Sequence, residues 1–232
     1  MIKQTVTQAI VLSRTNYQEA DRILTVLTPA SGKLRLVAKG VRKSKSKMAG
    51  GIELFCISEI SYIKGKGELG TLTSSRLHQH YGNIVRSAEH TMLGYELIKL
   101  LNRVTEDGAE PEYFELQKSA LDALNHPEIN PDIIKLWFYA QLLQIAGHTP
   151  NLHTDRTSQP LATGKTYNFD YENMVFSSTP QGGINPDHIK LLRLVFGGNR
   201  PNLLQKVGGA DKLLQPCLQL VQTAMNSQLR TT

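Results

Sequence analysis

Arg22-Ile23-Leu24-Thr25-Val26-Leu27-Thr28, then Pro29-Ala30-Ser31-Gly32, then Lys33-Leu34-Arg35-Leu36-Val37-Ala38-Lys39-Gly40-Val41 is the stretch on which the fold turns. The first run is rich in β-formers, and the Pro-Ala-Ser-Gly segment after it is a turn. The second run alternates. Leu34, Leu36 and Ala38 share one face, and Lys33, Arg35, Val37 and Lys39 share the other, which is the period of a strand with one buried side. Working outward, Thr7–Arg14 is a short apolar run before a turn. Ile52–Ile63 is another strand, with Phe55, Cys56 and Ile57 at its centre, and Gly70–Leu77 is a fifth. Five short strands with glycine-rich turns predict a small barrel or sandwich.

Beyond residue 82 the period changes. Leu93, Leu97, Leu100, Leu101 and Val104 mark one face of a helix over 87–104. Pro111 opens a second helix to about Asn125. Asn130-Pro131-Asp132 combines a cap, a first-turn proline and a first-turn acid, and starts a third helix to Ile145. Its apolar residues surround the axis, which predicts burial on most sides. Residues 147–185 are irregular, with strand-like patches at 166–169 and 174–176. Asn185-Pro186-Asp187 repeats the start signal for a helix to about Phe196. A last helix follows Gly208-Gly209 to about Leu229, with Pro216 either kinking it or beginning another. The fold class is therefore α+β: a β-domain over 1–82 and a mainly α-helical domain over 83–232 with an irregular insert at about 147–185.

Charge is unevenly spread. Residues 1–80 hold 13 Lys and Arg against 5 Asp and Glu, a net +8, whereas the remainder is net −2 within an overall +6. No acid lies between Asp21 and Glu53. That interval holds Arg22, Lys33, Arg35, Lys39, Arg42, Lys43, Lys45 and Lys47, the candidate nucleic-acid-binding residues. Lys39 to Lys47 follows a strand and precedes Ala49-Gly50-Gly51, so it is expected to be an exposed loop. Such a loop attracts phosphates without reading bases. Tyr17, Phe55 and Tyr62 are the few aromatics nearby, so stacking platforms are scarce. The bland alternative is a loop that only aids solubility. Glu19 and Asp21 sit among these cations and read as partners of the strand framework rather than as metal ligands.

The chain has no Cys-x-x-Cys, His-Glu-x-x-His or phosphate-binding Gly-x-x-x-x-Gly-Lys-Ser/Thr motif, and no paired carboxylates stand out. Gly65-x-Gly67-x-x-Gly70 matches a dinucleotide fingerprint in form only, since no helix follows. His153, Asp155 and His188 are a weak zinc alternative to surface histidines. Cys56 and Cys217 read as buried small hydrophobes. No apolar run is long enough for a membrane helix, and Met1 to Thr5 does not begin a signal peptide. No enzyme, no metal, no cofactor and no membrane partner are expected, and a cytoplasmic location fits.

The stretches Ala9-Ile10-Val11-Leu12, Tyr17-x-Glu19-x-Asp21-Arg22-Ile23-Leu24, Leu27-Thr28, Gly32-Lys33 and Ala38-Lys39-Gly40-Val41-Arg42-Lys43 resemble, in order and spacing, the N-terminal pattern of RecO, the bacterial recombination mediator family. Leu93-x-x-Glu96-Leu97, Gly147-His148-x-Pro150-x-Leu152, Phe176 and Gly182-Gly183 are similar to its C-terminal part. The likeness is strong over 9–43 and looser after about 150. It implies a five-stranded OB-fold barrel followed by helices. It also implies binding of single- and double-stranded DNA, annealing of complementary strands, work with RecR, contact with the acidic C-terminal tail of single-stranded-DNA-binding protein, and a nucleoid-associated role in repair and recombination. Many members hold zinc with two Cys-x-x-Cys pairs. Here His153 and Asn185 to His188 stand near those places, so zinc does not carry over, and residues 147–185 must be held by packing and hydrogen bonds. Two alternatives stay open: a general OB-fold single-strand DNA or RNA binder without annealing activity, and a scaffold recognising an acidic protein tail.

Overall fold

Two long strands let a five-stranded sheet close on itself. The computed structural model describes residues 4–65, 67–108 and 110–229, so Met1 to Lys3, part of the leader reading, lie outside the described residues. The strands are β1 (Gln4–Tyr17), β2 (Asp21–Thr28), β3 (Gly32–Ala38), β4 (Cys56–Ile63) and β5 (Leu69–His80). The first half of β1 pairs with β4 and its second half with β2, with a register shift between Val11 and Ser13. β5 divides its length similarly. Its start runs parallel to β3 from Arg35↔Leu69, and most of it lies antiparallel to β4. The resulting order β1-β2-β3-β5-β4, closed by β4 on β1, is an OB-type barrel.

The barrel is filled by Ala9, Val11, Leu24, Val26, Leu36 and Ala38 with their neighbours. The alternation over 33–39 holds, since Leu36 and Ala38 are buried while Arg35 and Lys39 are exposed. β1 departs from simple alternation, because Ile10 and Leu12 are as buried as Ala9 and Val11. Helices α1 (Ala88–Val104) and α2 (Pro111–Leu124) pack against this strand, and α2 also meets β2 and β3. The centre of β1 is thus covered on both faces, the environment of a continuous apolar run. Ser87 caps α1 by accepting the His90 amide at 3.3 Å.

The reading of one strand over 52–63 needs correction. Ala49–Ile52 is a turn of 3-10 helix, and β4 begins only at Cys56. Phe55 has φ of 58°, a left-handed conformation that ends any extended run. Its ring is buried, 5.0 Å from the ring of Tyr95 on α1. Burying a phenyl group contributes about 1.5–3 kcal/mol, enough to offset that backbone cost of about 1–2 kcal/mol. The stretch from Gly65 to Gly70, with Lys66 outside the described residues, joins two strands and opens no helix.

The chain divides into compact units at Met1–Pro127 and Glu128–Thr232. In the second, α3 (Pro131–Ile145) is flanked by α4 (Pro186–Phe196), α5 (Pro201–Leu204) and α6 (Ala210–Gln228). Asn130 Oδ1 accepts the Asp132 amide at 2.9 Å, as the start signal requires. Trp137, Phe138, Leu142 and Leu143 are all buried, so α3 is enclosed on most sides. Pro216 lies inside α6, which continues through it. The irregular segment carries one hairpin, β6 (Tyr167–Asp170) and β7 (Val175–Ser178). Among the described residues no helix is long and apolar enough to cross a membrane.

Candidate nucleic-acid interface

The turn between β1 and β2 and the loop after β3 meet at one end of the barrel. Asp21 Oδ1 accepts the Gly40 amide at 2.7 Å. The Arg42 amide donates to the Ala20 carbonyl at 2.9 Å, and the Arg42 guanidinium to the Glu19 carbonyl at 3.2 Å. Further along, Ser75 Oγ on β5 donates to the Met48 carbonyl at 2.8 Å. The loop is therefore pinned at both ends. Val41 is buried, while Lys39, Arg42, Lys43, Ser44, Lys45 and Lys47 are exposed. The ammonium groups of Lys39, Lys43, Lys45 and Lys47 have no hydrogen bond or ion pair among the described residues.

The other candidate cations are engaged elsewhere. Arg22 Nε donates to Asn16 Oδ1 at 3.3 Å. Arg35 lies 3.6 Å from the Glu68 carboxylate. Lys33 Nζ donates to the carbonyls of Asn102, at 3.1 Å, and Thr105, so it closes the C-terminal end of α1, where a cation is favoured. Lys33 thus stands apart from the loop group. The acid-free interval gave no sign of this, because the receiving carbonyls lie some seventy positions downstream.

Between the two ends of β3 the outward face carries small and aliphatic side chains and one arginine, Arg35. The registers align Thr15, Ile23, Val37 and Thr71 in one row and Ser13, Thr25, Arg35 and Leu69 in the next. No ring lies in either row, and Tyr17, at the end of β1, is the exposed aromatic nearby. A surface of hydroxyls and aliphatic groups, interrupted by the Arg35–Glu68 pair and followed in sequence by a loop of unpaired ammonium groups, suits a sugar-phosphate backbone better than stacked bases.

The thiols offer no nucleophile. Burial pushes Cys56 up to about 11 and Cys217 up to about 12. Zinc does not fit the irregular segment either. Asn151 Oδ1 accepts the amides of His153 and Thr154, each at 3.0 Å. Asp155 Oδ1 accepts the Thr157 amide at 2.8 Å, its hydroxyl at 2.7 Å and the Gln159 amide at 3.1 Å. His188 Nδ1 accepts the Asn185 amide at 3.1 Å, closing a capping box, and burial lowers its pKa. The side chains of Asn151, Asp155, Asn185 and His188 hold backbone, and no three metal-ligating side chains converge among the described residues.

These bonds predict that the segment loses stability in acid. The Thr157 hydroxyl, with the backbone amides of Thr157 and Gln159, lowers the Asp155 pKa, and Asn173 does the same at Asp170. A lowered folded pKa contributes stability that is complete above the ordinary aspartate value of 3.8 and is lost as the pH falls from there through the folded value. Unfolding of the second unit, followed by fluorescence of Trp137, is expected to ease over that window; a pH-independent midpoint there would contradict the assignment.

A small closed barrel of OB type with a solvated lysine loop, continued into helices, is the architecture of a basic OB-fold protein. Comparison with known proteins makes this specific. The family profile described as Recombination protein O N terminal matches residues 1–81, and that described as Recombination protein O C terminal matches residues 86–230. The chain belongs to the RecO family of DNA repair and recombination proteins. It is 32% identical to a DNA repair protein RecO of Dehalococcoides mccartyi, over 85% of this chain and 80% of that one. It is 31% identical to those of Syntrophomonas wolfei, over 62% of this chain and 58% of that one, and of Trichodesmium erythraeum, over 72% and 60%.

Proposed function

We propose that this chain is a non-enzymatic mediator of DNA repair and homologous recombination. It binds single- and double-stranded DNA mainly through backbone phosphates and anneals complementary strands. It acts with RecR on DNA coated by single-stranded-DNA-binding protein, whose acidic tail it contacts, in the bacterial cytoplasm at the nucleoid, without a cofactor. The observation that carries the reading is the row of exposed, unpaired lysines on a loop braced at both ends against an OB barrel. Two DNA strands repel each other, and a cationic surface that neutralises both lowers the barrier to their pairing. The two ring-free rows across β3 agree with annealing of any sequence.

The test is annealing of complementary oligonucleotides coated with single-stranded-DNA-binding protein, together with the salt dependence of binding. With four or five phosphates neutralised on a single strand, log K is expected to fall against log salt with a slope of about −3 to −3.5. Salt-insensitive affinity would sink the reading. Binding without annealing would reduce the protein to a general single-strand binder.

Lys33 supplies the control. Lys33→Met keeps the aliphatic stem and removes two charge-assisted bonds from the end of α1. Stability of the first unit is expected to drop by about 1–3 kcal/mol in urea unfolding followed by circular dichroism. DNA affinity measured on the folded variant should stay close to that of the unmodified protein.

A further inference from the structure

An acid sits at the root of the basic loop, and simple electrostatics says that it should weaken a phosphate grip. We infer that Asp21 instead strengthens DNA binding, as the positioning residue that sets the loop's conformation; this rests on the function proposed above. Its carboxylate holds the Gly40 amide at 2.7 Å. Gly40 has φ of 64°, a left-handed turn that redirects the chain away from β3. Directly after it the Arg42 amide reaches the Ala20 carbonyl at 2.9 Å, and the Arg42 side chain reaches the Glu19 carbonyl at 3.2 Å. These three bonds join the β1–β2 turn to the loop. Within the loop, the Lys43 amide donates to the Gly40 carbonyl at 3.1 Å and the Ser46 amide to the Lys43 carbonyl at 2.9 Å. The first of these turns therefore starts from the residue that Asp21 holds, and the second, which carries Lys45, starts from Lys43 where the first ends.

A loop ordered before binding loses less conformational freedom on meeting DNA than one that must be ordered by it. Charge and position make opposite predictions here. Removing the negative charge should tighten binding if Asp21 acts only through Coulomb repulsion. Removing the hydrogen bond should weaken binding if Asp21 acts by holding Gly40. The two effects separate in a pair of variants. Asp21→Asn loses the charge and keeps an oxygen that can accept from the Gly40 amide. Asp21→Ala loses both.

The experiment measures affinity for single-stranded oligonucleotides across a salt series, with thermal unfolding of each variant alongside. Asp21→Ala is expected to bind about tenfold more weakly, with a shallower salt slope. Asp21→Asn is expected to bind at least as tightly as the unmodified protein. If Asp21→Ala does not fold, Asp21→Val, which suits a strand start and likewise offers no acceptor to the Gly40 amide, takes its place with the same loss expected. A loop carrying Lys39→Glu, Arg42→Glu, Lys43→Glu and Lys45→Glu separates the role of Asp21 from the role of the loop itself. Loss of binding there, together with undiminished affinity of Asp21→Ala or of Asp21→Val, overturns this inference alone. Undiminished binding by the charge-reversed loop overturns the proposed function and this inference with it.

Discussion

Changing Lys39, Arg42, Lys43 and Lys45 together to Glu is expected to lower single-strand affinity by at least several hundredfold at about 0.1 M salt and to abolish annealing. The size of the loss follows from counterion release. Each neutralised phosphate contributes about 0.7 logarithmic units per tenfold change in salt, so over the decade from about 1 M, where this contribution vanishes, to about 0.1 M, giving up four of them amounts to nearly three orders of magnitude. Reversal adds repulsion to that loss. The fold should survive, because the three lysines have no partners among the described residues to lose, and Arg42 gives up one exposed bond to a carbonyl. Circular dichroism matching the unmodified protein would establish this. The result separates three readings. Loss of binding and of annealing supports the mediator. Retained DNA affinity with lost binding to an acidic peptide would favour a protein-recognition scaffold. A change of only a few-fold would show that the loop is merely solvated.

What the sequence made legible was local. Alternation over 33–39 needs only neighbouring residues, and the two Asn-Pro-Asp signals place helix starts from three residues each. The structure keeps all of these. The features that escaped are those whose cause lies far along the chain. β1 and β5 run longer than their apolar patterns because each serves two partners, and partner choice is set by barrel closure. Phe55 sits inside a strand-like run, yet it turns left-handed to bury its ring against Tyr95. Lys33 belongs to an alternating basic face, yet its ammonium is drawn to α1. Asp21 read as a partner of the strand framework, and the structure gives it a narrower task, holding Gly40. The candidate site was thus visible as a charge run, while its bracing was not. Hydrogen bonds between a turn and a loop leave no periodic trace.

Two adjacent glycines in the second unit are expected to respond in opposite ways to the same change. Gly182 lies against the backbone of Tyr167, and a Cβ there would come within 2.3 Å of its nitrogen and 2.6 Å of its carbonyl oxygen. Neither atom can move alone. The Tyr167 amide donates to the Ile184 carbonyl at 2.8 Å, and the Ile184 amide to the Tyr167 carbonyl at 3.0 Å. The Tyr167 ring is fully buried and meets Phe176 edge-on at 6.2 Å. Displacing the crossing strand would also pull on Asn185, the cap of α4. Gly182→Ala is therefore expected to destabilise the second unit by about 3 kcal/mol or more, at the upper end of overpacking costs. Gly183 has open space around it. Its φ lies outside the left-handed region, so Gly183→Ala should be neutral or stabilising by up to about 1 kcal/mol. Trp137 is the chain's one tryptophan, buried in α3, so its fluorescence during equilibrium unfolding reports on this unit. Equal midpoints for the two variants would show that the crossing over Tyr167 is looser than its distances imply. The expected split would show that a close backbone crossing over Tyr167 holds this segment in a chain without Cys-x-x-Cys pairs.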